Sequence, residues 1–209
     1  IRDSSYFNKH SSKSLIWQSE LIIKSKNNKL IVGCKRKFDD LIEIFIKVED
    51  SPGLFYKSVK ILEHSGLEII DANIFSSENN KLAANTFITK YSRQDRILNK
   101  SELTELCSKI EKNFNKEDGI SKMKSLKKKN TRFEKNIKIN ESINFDKKRN
   151  LITIETVDSS GLLANIAKVF LKNKVSIYSA RINTLGERVE DTFEIENSNQ
   201  KLVPSYKIK

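Results

Sequence analysis

The feature that most constrains this chain is an internal repeat. The segment Asp50-Ser51-Pro52-Gly53-Leu54-Phe55 returns 108 residues later as Asp158-Ser159-Ser160-Gly161-Leu162-Leu163. The same offset lays Val59 on Ala167, Ile61 on Val169, Leu62 on Phe170, Ile69 on Ile177, Ala72 on Ala180 and Ile74 on Ile182. After a shortening of two residues, which belongs in a turn, Thr86-Phe87 falls on Thr192-Phe193. The chain therefore holds two copies of one unit, and such periodicity is read before anything else.

Each copy reads as an α+β unit. Ile42, Ile44, Ile46 and Val48 alternate with less apolar positions, as do Ile152 and Ile154, which predicts strands with one buried face. An Asp-x-x-Gly loop follows. Asp50 or Asp158 is placed to cap the next helix, and Gly53 or Gly161 lets the backbone turn without a Cβ clash. Leu54, Phe55, Val59 and Leu62, and again Leu162, Leu163, Ile166, Val169 and Phe170, form helical stripes at three-and-four spacing. Second strands are expected over residues 67–76 and 175–184, and third strands over 84–89 and 189–195. Glu78-Asn79-Asn80-Lys81 and Gly186-Glu187-Arg188 supply the turns between them. Copy one continues with a helix carrying Leu103, Leu106, Cys107, Ile110 and Phe114 on one face, N-capped by Ser101. Its last strand is expected near residues 137–145, completing a ferredoxin-like βαββαβ unit. Copy two stops short, because Pro204 interrupts the little that follows Ile195.

Charge and composition limit the function classes. Lysine and arginine number 39 against 27 acids, a net charge of +12. That balance invites a nucleic-acid reading, but the excess lies in 31 Lys with only eight Arg, beside 26 Ile and 20 Asn. All three abundant residues have AT-rich codons, so genome bias accounts for a diffuse basic surface. The densest run, Lys122 to Lys129, falls in an expected linker. Neither nucleic acid nor a membrane is expected as partner: no stretch of about 18 apolar residues occurs, and the first ten residues lack the apolar core of a signal peptide. Cys34 and Cys107 are too few for a disulfide framework or a zinc site, and Cys107 reads as a reduced core thiol. A chain that begins at Ile1 and holds a single methionine, Met123, is read as a piece of a longer protein.

The βαββ start with its Asp-x-x-Gly-Leu loop resembles the ACT domain family, whose members sense amino acids and related metabolites. The run Ala180-Arg181-Ile182-Asn183-Thr184-Leu185-Gly186-Glu187-Arg188-Val189-Glu190-Asp191-Thr192-Phe193 closely resembles the last ACT domain of the bacterial bifunctional PII uridylyltransferase/uridylyl-removing enzymes. Asp71-Ala72-Asn73-Ile74-Phe75-Ser76-Ser77 is similar to the matching strand of their first ACT domain, and Tyr6 through Trp17 to the segment leading in from their hydrolase domain. The resemblance implies residues 1–40 as linker and end of that upstream region. It implies ACT domain 1 over 41–118, a basic linker over 119–148, an incomplete ACT domain 2 over 149–197, and a tail over 198–209.

The resemblance further implies a cytoplasmic parent enzyme that attaches and removes uridylyl groups on the PII signalling protein, using UTP and Mg2+ or another divalent metal, with glutamine as effector. The Gly-Ser and paired-aspartate motif of the transferase and the His-Asp cluster of the hydrolase are absent from this sequence, so no catalysis, cofactor or metal is expected of the piece itself; His10 and His64 read as ordinary surface or boundary residues. Glutamine is expected at the first loop and helix start of each unit, at Asp50, Gly53, Leu54 and Phe55 and at Asp158, Gly161, Leu162, Leu163 and Asn165. The N–H groups of a helix start suit a carboxylate, and a nearby acid suits an amino group. Glu187, Arg188, Glu190 and Asp191 are read as contacts to other domains, since exposed ion pairs stabilise a fold too little to explain the run. A free-standing ACT-repeat regulator and a basic nucleic-acid-binding ferredoxin-like protein are the alternatives; the second lacks the aromatic-rich run of RNA-recognition sheets.

Overall fold

The structure is a computed structural model that describes residues 4–26, 28–38, 40–76, 82–91, 97–116, 137–144, 149–159, 161–185, 188–197 and 202–203. Copy one contains α1 (Ser4–Asn8), α2 (Ser12–Lys24), β1 (Ile31–Arg36), β2 (Leu41–Glu49), α3 (Leu54–His64), β3 (Leu67–Asn73), β4 (Leu82–Tyr91) and α4 (Lys100–Phe114). Copy two contains β5 (Lys138–Asn144), β6 (Arg149–Val157), α5 (Leu162–Lys172), β7 (Val175–Arg181), β8 (Thr184–Leu185) and β9 (Arg188–Asn197). The turns at 78–81 and 186–187 and the basic run at 122–129 lie outside the described residues.

All strands join one antiparallel sheet in the order β1-β2-β4-β3-β7-β9-β6-β5, with β8 on β9. The fold is mixed α+β, two ferredoxin-like units set edge to edge. The edge strands depart from expectation. Residues 138–144 do not complete copy one; β5 pairs with β6, Ile139 opposite Ile154 and Ile143 opposite Asn150. The corresponding edge of copy one is β1, which lies within the residues 1–40 expected as linker. It pairs with β2, Cys34 opposite Ile44. The place beside the first core strand is open to a segment from either end of a unit. Here a hairpin fills it from the N-terminal side, closed in copy one by Lys37 N–H donating to Leu41 O at 2.9 Å. The repeat thus begins one strand earlier than its sequence similarity shows.

The helices lie where their stripes require. Ile42, Ile44 and Ile46 of β2, Val59, Ile61 and Leu62 of α3 and Phe87 of β4 merge with Phe170, Phe193 and Ile195 of copy two into one core. Phe87 and its counterpart Phe193 are fully buried, and each such side chain contributes roughly 1.5–3 kcal/mol. The α4 cap is Asn99, two residues before the expected Ser101. Glu102 N–H donates to Asn99 Oδ1 at 3.0 Å, and Asn99 N–H donates to Glu102 Oε2 at 2.8 Å, a reciprocal capping box.

β2 is buried on both faces, contrary to the one-sided strand expected. The α1–α2 arm crosses the back of copy one and covers Phe45, Phe75 and Ala84 with Tyr6, Leu15, Trp17, Leu21 and Ile22. A polar network runs through that layer. Ser14 Oγ donates to Glu43 Oε2 at 2.8 Å, Lys35 Nζ reaches the same oxygen at 3.3 Å, and Gln18 Nε2 donates to Thr86 Oγ1 at 3.2 Å. His10 is no bystander: its Nε2 lies 2.9 Å from Thr86 Oγ1, and its ring stacks on Tyr6 at 4.5 Å.

Copy two has no counterpart of α4 among the described residues. Ile139, Ile143 and Val169 are 50, 38 and 55% exposed, whereas Ile61, the counterpart of Val169, is fully buried. Of the tail, Val203 is pinned to β6: its N–H donates to Asn150 Oδ1 at 2.6 Å, and its carbonyl accepts from Asn150 Nδ2 at 3.1 Å.

Candidate functional site

The loop between β2 and α3 turns at Gly53, which has φ +82 and serves as the N-cap with no side-chain cap hydrogen bond. Asp50 is therefore not the cap of α3. The turn is closed by Leu54 N–H donating to Ser51 O at 3.0 Å. The following first-turn N–H groups, at Phe55 and Tyr56, have no acceptor within their own helix, and the positive end of the helix dipole lies there.

That helix start opens onto a cavity of about 510 Å³ between the two copies. Copy one contributes Asp50, Pro52, Gly53, Leu54, Phe55 and the floor residues Ala83 and Asn85. Copy two contributes Phe170 and Leu171 of α5, Lys174, the β7 residues Ser176 to Tyr178, and Glu196. Lys174 has φ +56, an uncommon conformation for a residue with a side chain. Tyr178 lies where β7 shifts register between Ile177 and Ser179, and a bulge of this kind re-aims a side chain. The Arg149 guanidinium carbon sits 3.4 Å from the Tyr178 ring centroid, and Lys9 Nζ lies 5.4 Å from it. Arg149 is itself held by Glu196, with Nε donating to Oε2 at 3.0 Å. The tyrosine wall is therefore fixed by contacts with β6 and with the N-terminal arm.

Asn85 is fully buried in the middle of β4. Its Oδ1 accepts from Phe75 N–H at 3.3 Å, while its Nδ2 has no hydrogen-bond partner. Buried polar groups are usually satisfied, so this unpartnered donor is an exception, and it belongs to a residue of the cavity lining.

The second copy is built differently at the equivalent place. Asp158 is exposed, and Gly161, with φ +77, has open space where a Cβ would stand. At Gly53 the same atom would lie 2.9 Å from Leu171 Cδ2. The counterpart of Leu171 in copy one is Glu63, whose carboxyl accepts from Ala164 N–H at the start of α5. Burial pushes this carboxyl up to about 7, with the Lys60 charge and that hydrogen bond acting in the opposite sense. A carboxylate of the chain itself thus sits at the helix start that is open in copy one.

The structure therefore brings Asp50, Gly53, Leu54 and Phe55 together at the cavity. Asp158, Gly161, Leu162, Leu163 and Asn165 do not line it; Leu163 is core, and Asn165 is exposed. Asp191 does not reach the surface to contact another domain. It is 1% exposed, its Oδ1 accepts from Asn183 N–H at 3.3 Å, and burial together with nearby Asp158 pushes its carboxyl up to about 7. The cause is strand parity: alternate residues of β9 face the helices, and Asp191 is among them. Arg188 pairs within its own unit, with Nη2 2.7 Å from Glu155 Oε2. Glu190 N–H donates to Asn183 O at 2.9 Å, and Glu187 lies outside the described residues.

Sequence reasoning missed Asn85, Lys174, Tyr178 and Glu196. For Asn85 a signal existed, an amide side chain between Ala83 and Phe87 on the core-facing side of its strand. The others come from the opposite copy, and no local pattern ties them to the loop.

Among the described residues no group of three or more His, Cys, Asp or Glu converges as a metal site, so no step through the divalent metal of the expected parent enzyme follows. No described helix is long and apolar enough to cross a membrane.

No family model matches the chain. It is 26% identical over 211 residues to the bifunctional uridylyltransferase/uridylyl-removing enzyme of Acinetobacter baumannii (strain AYE), covering 98% of this chain and 24% of that protein. The enzyme of the same name from Psychrobacter arcticus is 24% identical over 217 residues, with 98 and 24% covered. That of Acinetobacter baylyi is 27% identical over 196 residues, with 90 and 22% covered. The match falls in a C-terminal region of these relatives, and the chain spans about a quarter of their length. Among solved structures, the crystal structure of a putative glycine cleavage system transcriptional repressor is similar at 14% identity and a TM-score of 0.25, covering 76% of this chain and 81% of that one.

Proposed function

We propose that the chain is the effector-sensing region of a bifunctional uridylyltransferase/uridylyl-removing enzyme acting on the PII protein, and that the cavity between its two copies takes free glutamine. The observation that carries the reading is the cavity itself, which joins an uncapped helix start of one copy to a strand of the other. An α-carboxylate suits the N–H groups of Phe55 and Tyr56, and Asp50 suits an α-ammonium. A ligand held by both copies favours the arrangement in which they are docked, and a ligand shifts an equilibrium only through such differential contacts. Tyr178 ties the cavity wall to Lys9 and hence to the α1–α2 arm, a route toward the catalytic parts expected upstream in a cytoplasmic enzyme. Catalysis, UTP and a divalent metal belong to those parts.

The test is isothermal titration of the folded chain with glutamine, with glutamate as control. Saturable binding selective for glutamine, abolished by Ser176→Trp in the cavity wall, supports the reading. No binding by a chain whose circular dichroism shows it folded, or binding that Ser176→Trp leaves intact, overturns it.

A further inference from the structure

Asn85 of β4 and Asp191 of β9 hold the same place in the two copies, both adjacent to the matched Thr-Phe pairs Thr86-Phe87 and Thr192-Phe193. Each uses one oxygen for the same task. Asn85 Oδ1 accepts from Phe75 N–H at 3.3 Å, and Asp191 Oδ1 accepts from Asn183 N–H at 3.3 Å. Phe75 and Asn183 are themselves repeat counterparts. This bond decides how the Asn85 amide is oriented: an N–H needs an acceptor, so the carbonyl faces Phe75 and the NH2 faces away. The second atom then differs between the copies, a neutral donor in one and a carboxylate oxygen in the other.

Only the Asn85 side of this pair lines the open cavity. Its Nδ2 is buried and without a partner, a state that costs free energy unless an acceptor arrives. A neutral acceptor answers that need at lower cost than a charged one, because an ionised carboxylate taken out of water requires a full compensating charge. We infer that Asn85 is the specificity-determining contact of the cavity, donating from Nδ2 to an uncharged carbonyl oxygen and so selecting a ligand with a side-chain amide over its carboxylate analogue. This rests on the cavity being the ligand site. It adds the group that reads the distal end of the ligand, beyond the loop and helix start that hold its backbone end.

The clean variant is Asn85→Asp. It keeps the oxygen that holds Phe75 N–H, as Asp191 does for Asn183, and removes only the donor. Titrations with glutamine and with glutamate compare it with the unaltered chain at pH 8 and pH 5.5. The expected result at pH 8 is at least a tenfold loss of glutamine affinity. Recovery is expected at pH 5.5, where a carboxyl buried as Asp191 is takes up a proton and donates again, while the unaltered chain changes little. Equal glutamine affinity of the two proteins at pH 8, or a loss that acid does not relieve, overturns the role of Asn85 and leaves the cavity as the binding site. Absence of glutamine binding in the unaltered chain overturns the site itself and this inference with it.

Discussion

Ala72 stands directly opposite Ala180 where β3 meets β7, and through this paired position the strands of the two copies become one sheet. Both alanines are buried, at 0 and 2% exposure. They are also counterparts in the repeat, so the seam is a near-symmetric contact of two small side chains with α3 and α5 packed together above it. The cavity exists because the seam holds β7 beside the Asp50–Gly53 loop.

Enlarging the seam should therefore cost both stability and binding. Ala180→Leu inserts three carbons into a closed contact, and overpacking of this kind costs about 1–3 kcal/mol. A urea titration should show the lower midpoint, and Ala72→Leu should behave alike. The double variant should lose less than the sum, since neighbours that share a contact are not additive. Full additivity would mean the two positions do not touch in solution.

The two loop glycines separate backbone strain from crowding. Both have positive φ, so alanine at either costs roughly 1–2 kcal/mol from the left-handed conformation. Gly161→Ala should cost only that, because nothing stands within 4 Å of its new Cβ. Gly53→Ala must also turn Leu171 aside, since that side chain would lie 2.9 Å away, and Leu171 is part of the cavity wall. Thermal melts should rank Gly53→Ala as the less stable, and its glutamine affinity should fall where that of Gly161→Ala does not.

Glu63 predicts a pH dependence of stability. Burial raises its carboxyl from 4.5 to about 7, so the folded chain holds a proton that the unfolded chain has already lost. The folded state then binds more protons, and stability is fullest below 4.5 and falls as pH rises toward 7. Asp191, raised from 3.8 to about 7, acts in the same direction. His10, lowered by burial, acts in the opposite one up to its ordinary 6.5. Glu63→Gln should flatten the decline and leave the chain more stable than the parent at pH 8. Urea midpoints at pH 5 and pH 8 decide this, and an unchanged slope would remove Glu63 from the account.

The polar layer under the α1–α2 arm predicts a coupled pair. Glu43 is 1% exposed and has Lys35 Nζ at 3.3 Å. Lys35→Met leaves a buried carboxylate without its countercharge and should cost about 3 kcal/mol. Adding Glu43→Gln should restore much of that loss, because an amide needs no countercharge and can still accept from Ser14. If the double variant were as unstable as Lys35→Met alone, the lysine would be acting through its 4.4 Å contact with the Trp17 ring and not through Glu43.

What the sequence determined by itself is local. The repeat, the helical stripes from Leu54 to Leu62 and from Leu162 to Phe170, the alternating strands and the turning glycines are all readable from spacing, because a helix and a strand each impose their own period on the residues they bury. Asp50, Gly53, Leu54 and Phe55 fall together along one cavity, since a loop and the helix it starts are continuous in the chain. Strand partnership was decided by tertiary structure. β1 takes the edge where residues 137–145 were expected, α1 and α2 bury Phe45 and Glu43 on a face expected to be open, and β7 brings Tyr178 to the loop from the other copy. Each of these depends on which distant surfaces fit together once the units collapse, and the free energy of that fit belongs to pairs of segments with no shared period to announce it. Asn85 shows the boundary between the two. Its place between Ala83 and Phe87 was written in the sequence, but the orphaned Nδ2 came into being only when Phe75 claimed its oxygen and the second copy completed the cavity wall.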